Sequence, residues 1–436
     1  MKSIKTIILI PFLALLFSSC QKNEVLSSDL SESTIESVSS SEEAISPLSN
    51  YSVIKSSYLV DENRPLVKWE GRYEYKIGDV DKPNMVYLYH TATGFTVDFY
   101  GTSLKVTFYH YVSDSATANI YYDYAIDNEI LPNPLNRRFY LDRKYRTNEI
   151  TLCEGLPEGH HSVKCLKMDE AKDAYTAISQ FETDGRFYYR DVVEDNKNLK
   201  FLFVCASGGS GYGALGYSEV GPTEVGRKNS NSSSLHSFNY LSARRFNADV
   251  MYVATSGWGV RYPETKQISL VLDKVGVTPD NNVSGALTTG DWDSQRYIPD
   301  VIIFNIGGND TKNSAFDVNN YKERVVEMVT KLHNYYPKAK MLWTHTASNA
   351  GGYAINELTN QGMMSQGYIF ETVLYKVGHG KEGSGEGTYG ASDHYSLKTQ
   401  IDNAEIITDQ LQTLGFEPTI DPVSFSDYEF EIEYKQ

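Results

Sequence analysis

Two hydrophobic patterns divide the chain. Over residues 85–90, 96–100, 103–109, 120–125, 149–153 and 161–167, apolar and aromatic positions alternate with polar ones or gather in short β-branched runs. Period-two alternation bounded by turn residues predicts half-buried strands. Gly155-Leu-Pro-Glu-Gly159, between the last two runs, is a hairpin signal. Together these predict a β-sandwich over residues 51–192. From residue 198 the runs become continuously apolar, at 199–205, 250–255, 301–306, 341–345 and 368–374. Such runs predict strands buried on both faces. Between and after them, residues 321–335 and 397–414 place apolar side chains three and four apart, as amphipathic helices do. Strands alternating with helices predict an α/β domain over 198–436, its parallel sheet flanked by helices. Its site is expected at the carboxyl ends of the strands. Residues 421–436 read as one or two further strands, expected to return to the sandwich.

The first fifty residues fit neither pattern. Lys2 and Lys5 precede an apolar run from Ile7 to Phe17. That run is too short for a membrane span and fits a secretory signal. Ser18-Ser19-Cys20 resembles a bacterial lipobox, so residues 1–20 are expected to be a lipoprotein signal peptide with lipidation at Cys20. Ordinary cleavage, with Cys20 an incidental thiol, is the alternative. Residues 21–50 are rich in Ser and Glu and nearly free of aromatics. They cannot bury enough surface to offset ordering and read as a disordered tether. The expectation is an exported bacterial lipoprotein of the outer membrane, held there through its lipid anchor only. About 390 residues remain, more than one core usually organises. The net charge of −16 argues against nucleic acid or anionic lipid as partner.

Candidate chemistry follows the strand ends. The run 199–205 leads into Ser207-Gly-Gly-Ser-Gly-Tyr-Gly213, where small residues leave a hydroxyl and N–H groups open. The run 301–306 delivers Gly307-Gly-Asn-Asp310, and His394 stands in Gly390-Ala-Ser-Asp-His-Tyr-Ser396 before a helical pattern. In that order the segments resemble the SGNH (GDSL-type) hydrolases. Ser-x-x-x-Gly-Tyr-Gly, with the stretch from Gly155 through His161 to Asp169-Glu170-Ala171, is similar to carbohydrate esterase family 2. There a jelly-roll domain precedes the hydrolase domain.

The resemblance implies a serine acetylesterase acting on acetylated polysaccharide such as xylan or glucomannan, with no cofactor and no metal. Ser207 matches the nucleophile and His394 the general base. The N–H groups of Ser207 and Gly257 and the side chain of Asn309 match the oxyanion donors. Trp258 is a candidate for stacking on a sugar ring, with a packing lid as the equal alternative. Two departures stand out. Cys205-Ala206 replaces the usual Gly-Asp before the serine, and Ser392 and Ala391 occupy the positions of the customary aspartate. Asp393 is then a possible third member. Adjacent residues on an extended loop project apart, so a Ser–His dyad with a backbone carbonyl behind the imidazole is expected instead. The alternative from another class is a catalytically degenerate glycan-binding lipoprotein using the same cleft. His345 is read as a satisfied structural histidine and Cys205 as a small core residue. Cys153 and Cys165, on the two arms of the expected hairpin, are either bridged or two free thiols. Nothing in the sequence has zinc spacing or a phosphate-loop lysine. The sugar, its acetylated hydroxyl, the membrane face and the oligomeric state stay open.

Overall fold

The computed structural model describes residues 47–112, 119–278 and 289–435. Cys20, the expected signal and nearly all of the expected tether lie outside them. The alternating segments form two six-stranded antiparallel sheets. One runs Tyr73–Lys76, Met85–Leu88, Ala174–Thr183, Leu104–Val112, Thr147–Cys153, with Val53–Lys55 added against Ala174–Thr183. The other runs Arg186–Phe187, Gly94–Gly101, Gly159–Lys167, Ile120–Ile126, Arg138–Leu141, with Val67–Glu70 against Gly94–Gly101. Val106, Phe108 and Phe181 of the first meet Phe95, Val97 and Tyr122 of the second in one buried cluster. This is the sheet-on-sheet core of a sandwich.

The expected hairpin at 155–159 is corrected. Its two arms lie in different sheets, so the segment crosses from one layer to the other, with the Leu156 N–H bonded to the Thr102 carbonyl at 3.0 Å. Cys153 pairs with Leu104, whereas Cys165 lies between Phe95 and Tyr124, and both are free, buried thiols. Alternation states which face of a strand is buried, and two arms with buried faces suit either one sheet or two.

The continuous apolar runs form a five-stranded parallel sheet: Lys200–Cys205 (β1), Asp249–Ala254 (β2), Val301–Asn305 (β3), Lys340–His345 (β4) and Ile369–Val373 (β5). Their order is β2-β1-β3-β4-β5. The chain leaves β1 toward β2 on one side and reaches β3 on the other, so the end of β1 is a topological switch point, where such sheets bind ligands. Val318–Tyr335 and Asn349–Asn360 contribute Val325, Val329 and Ala354 to a core on one face. Phe238–Arg245 and Leu397–Thr413 contribute Leu241, Ile407 and Leu411 on the other.

Both cores also take in sandwich residues, Tyr89 and Ala171 on one face, Leu166 and Met168 on the other. Lys68 pairs with Asp249 at 2.8 Å, and buried Arg72 donates to the carbonyls of Val271 and Lys274. Residues from Ser46 onward accordingly form one compact unit. The tail departs from the expected strands. Phe425–Glu431 is a 3-10 helix, whose Tyr428 hydroxyl donates to the Pro132 carbonyl of the sandwich. One short strand is present, Glu433–Tyr434, paired with Gly216–Tyr217 of the hydrolase domain rather than with the sandwich.

Candidate active site

Strand β1 ends at Cys205, and the Ala206 N–H still bonds across to the Asn305 carbonyl of β3 at 3.1 Å. The next residue, Ser207, therefore leaves the sheet at its carboxyl edge. Behind it the backbone turns tightly, Ser210 N–H to Ala206 carbonyl and Tyr212 N–H to Ser207 carbonyl, both 3.2 Å. Gly211 allows this: its φ is +71°, and a Cβ would stand 1.8 Å from the Ser233 carbonyl oxygen. Ser207, Asn309, Asp393 and His394 line one cavity of about 250 Å³, with Lys312, His345 and Tyr395. Cys205 is fully buried, and burial holds its thiol well above the ordinary range, so it is an inert core side chain.

His394 approaches from the loop before Leu397–Thr413, a helix capped by the Ser396 hydroxyl, which accepts the Thr399 N–H. Its Nδ1–H donates to the Ser392 carbonyl oxygen at 2.7 Å. A carbonyl only accepts, so the hydrogen sits on Nδ1 and Nε2 keeps the lone pair a base needs. The loop is pinned by Ser392 N–H to Val225 carbonyl and Asp393 N–H to Pro222 carbonyl, at 2.9 and 2.7 Å. Ser392 and Asp393 both have left-handed φ, 51° and 57°. That turn carries the carbonyl under the ring. The Tyr212 ring lies 4.4 Å from the imidazole, centroid to centroid. Burial pushes the His394 pKa below the ordinary value. The Ser392 carbonyl, Glu170 and Asp393 push it up, and Lys312 adds to the lowering. The net lowering favours the neutral ring, the form a base needs. Asp393 is exposed, and the imidazole N–H that a third member would receive goes to the Ser392 carbonyl, the arrangement expected of a dyad.

The oxyanion candidates are held with one hydrogen to spare. The Asn309 amide donates one N–H to the Trp258 carbonyl at 2.8 Å, leaving its second free for a ligand. Among the described residues, neither the Ser207 N–H nor the Gly257 N–H donates to a protein group. Gly257 sits at an exposed turn, φ +81°, beside the cavity rather than in its wall. Of the two readings of Trp258 the geometry fits packing: only 2% exposed, its ring is part of the core.

Three groups were not singled out in the sequence. Asp310, fully buried, accepts the N–H groups of Val260, Arg261 and Tyr262 at 2.9, 2.7 and 2.7 Å. It ties the Trp258 segment to the strand end bearing Asn309. Its signal was its place beside Asn309 in Gly307-Gly-Asn-Asp310. Glu170 arrives from the sandwich, 2% exposed, and accepts Ser210 Oγ, Ser256 Oγ and Ser256 N–H at 2.5, 2.5 and 3.0 Å. Glu371 bonds His345 Nε2 at 2.8 Å while His345 Nδ1 accepts the Ala347 N–H, so both ring nitrogens of His345 are taken. Among the described residues no cluster of His, Cys, Asp or Glu could hold a metal ion.

A serine at a switch point, a histidine with a free Nε2 and an amide donor line one cavity, an arrangement of the kind ester hydrolysis uses. Comparison with known proteins gives the particular form. Residues 71–188 match the family described as "Carbohydrate esterase 2 N-terminal" and residues 183–372 the family "GDSL-like Lipase/Acylhydrolase". The chain therefore joins a carbohydrate esterase 2 N-terminal domain to a GDSL-type hydrolase domain. It is 23% identical over 370 residues to the cellulase/esterase CelE of Acetivibrio thermocellus, covering 82% of this chain and 40% of that protein. It thus spans about two fifths of that relative's length. A family two carbohydrate esterase from Clostridium thermocellum, solved with cellohexaose, matches with a TM-score of 0.63 and 22% identity over 80% of this chain and 99% of that one. Est2A, an acetyl xylan esterase from the rumen bacterium Butyrivibrio proteoclasticus, matches with a TM-score of 0.64 and 16% identity over 84% and 100%. At these identities the structural matches establish the shared fold.

Proposed function

We propose that this chain is a serine ester hydrolase that removes O-acetyl groups from a β-linked polysaccharide such as xylan or glucomannan. The observation that carries the reading is the free Nε2 of His394, left by the Nδ1–H bond to Ser392, in one cavity with Ser207. Ser207 Oγ attacks the acetyl carbonyl carbon as His394 Nε2 takes its proton. The carbonyl oxygen becomes an oxyanion, met by the N–H groups of Ser207 and Gly257 and the spare Asn309 N–H. Collapse expels the sugar alkoxide, which receives the proton from His394 and leaves as an alcohol. Water, activated by the same imidazole, then releases acetate and restores Ser207. The substrate class is supported by the cellohexaose complex of the Clostridium enzyme and the acetyl xylan esterase named above.

The test is acetate release from acetylated xylan, acetylated glucomannan and a chromogenic acetate ester, by wild type and Ser207→Ala. Wild type should turn over at least one polysaccharide, and the variant should be inactive and folded. Near-wild-type activity in Ser207→Ala removes the assignment. Binding of acetylated oligosaccharide by wild type without turnover favours the glycan-binding alternative. We further propose that Cys20 is acylated and anchors the exported chain. Mass spectrometry of the mature N-terminus decides this, an unmodified cysteine or another start refuting it.

A further inference from the structure

We propose that Glu170, supplied by the sandwich, is the positioning residue for both halves of the catalytic apparatus, an assignment that rests on the esterase reading above. The carboxylate is buried at the seam between the domains and its contacts divide between two segments of the hydrolase domain. One oxygen accepts the hydroxyls of Ser210 and Ser256, each at 2.5 Å. The other accepts the Ser256 N–H at 3.0 Å. Ser210 Oγ lies 3.2 Å from the Ser207 carbonyl, so the first contact reaches the turn that carries the nucleophile. Ser256 precedes Gly257 and Trp258, so the second holds the segment whose N–H and carbonyl set the oxyanion donors. Two segments that follow different strands are thereby fixed to one rigid point. Charge-assisted bonds of this kind are roughly twice as strong as neutral ones. Cys205-Ala206 places no carboxylate beside the nucleophile, and Glu170 brings one to its turn from outside the domain.

The same carboxylate acts on the base. Three charged groups shift His394: Glu170 and Asp393 upward, Lys312 downward. Lys172 and Arg227 lie 4.6 and 4.7 Å from the centroid of the Tyr212 ring, which packs at a tilt against the imidazole, and Arg227 is paired with Asp173. Removing the Glu170 charge takes away an upward push, so His394 should titrate lower.

The experiment compares wild type with Glu170→Gln, similar in size and uncharged, by steady-state kinetics on a chromogenic acetate ester and by NMR titration of His394. The expected kcat falls about 10- to 100-fold, less than the 10²- to 10³-fold typical of deleting an oxyanion donor. KM should stay within about twofold, and His394 should titrate at lower pH. A folded Glu170→Gln with kcat within about twofold of wild type overturns the proposal. If wild type itself releases no acetate, the esterase reading fails on its own. Amide hydrogen exchange, which needs no turnover, then still decides: exchange of residues 207–212 and 256–258 in Glu170→Gln unchanged from wild type overturns the role of Glu170. Should Glu170→Gln not fold, Ser256→Ala removes one hydroxyl contact while keeping the backbone bond. It should lower kcat about tenfold at constant KM, of the order of one lost hydrogen bond to a charged group. A rate within twofold of wild type overturns the proposal there.

Discussion

The imidazole of His394 is aimed by the carbonyl of Ser392, two residues back on its own loop, through a 2.7 Å bond from Nδ1–H. A carboxylate behind the base would also stabilise the imidazolium formed during reaction, and a peptide carbonyl does so less. His394→Ala should therefore cost on the order of 10³-fold or more in rate, by analogy with loss of a triad member. Asp393→Ala should cost less than about tenfold, roughly 1.4 kcal/mol of barrier. Equal damage from the two folded variants, measured as kcat on a chromogenic ester, would make Asp393 the third member.

Activity should rise with pH on a limb set by His394. The ring must be neutral to accept the Ser207 proton, and burial lowers its pKa. The acid limb of kcat/KM, which reports the free enzyme, should accordingly lie below the ordinary imidazole value of about 6.5. Lys312 contributes to the lowering. Lys312→Met removes a cation that disfavours imidazolium, so the limb should move to higher pH. A limb unmoved or moved downward contradicts the electrostatic assignment.

Trp258 separates packing from sugar binding. Its ring is buried in the core beneath the oxyanion turn. Trp258→Ala should destabilise the fold by about 3–5 kcal/mol, as large-to-small core changes do. A denaturant titration gives the value. A variant of full stability with only a raised KM would restore the stacking role.

Asp310 holds three backbone donors of the 260–262 segment. Asp310→Ala leaves them unpaired, at about 1–3 kcal/mol for each buried group. A loss of about 3 kcal/mol or more is expected, together with a lower kcat, since the same segment presents the carbonyl that holds Asn309. Calorimetry that shows an unchanged unfolding temperature would show the three bonds to be dispensable.

Much of this was legible in the chain because each signal was local. Val301–Asn305 is a strand at the position its apolar run predicts, since burial on both faces leaves no polar position to misread. Ser207 and Asn309 were found because each stands just past such a run. The crossover after Cys153 was not legible, because the same turn residues serve a hairpin and a passage between layers. The contacts of Glu170 were not legible either. It stood in a stretch read only for its family likeness, and its partners Ser210 and Ser256 lie 40 and 86 residues away. A backbone carbonyl behind the imidazole was expected, but not which one, because the choice of Ser392 depends on two left-handed φ angles.

The seat of Glu170 on the sandwich side of the seam bears on how such chains can be recombined. A chimera that grafts residues from Asn198 onward behind a foreign first domain inherits Ser207, Asn309 and His394. It loses the carboxylate to which Ser210 and Ser256 are bonded. The unit that can be exchanged between proteins is therefore the pair of domains, cut before the sandwich rather than at the short link after Phe187.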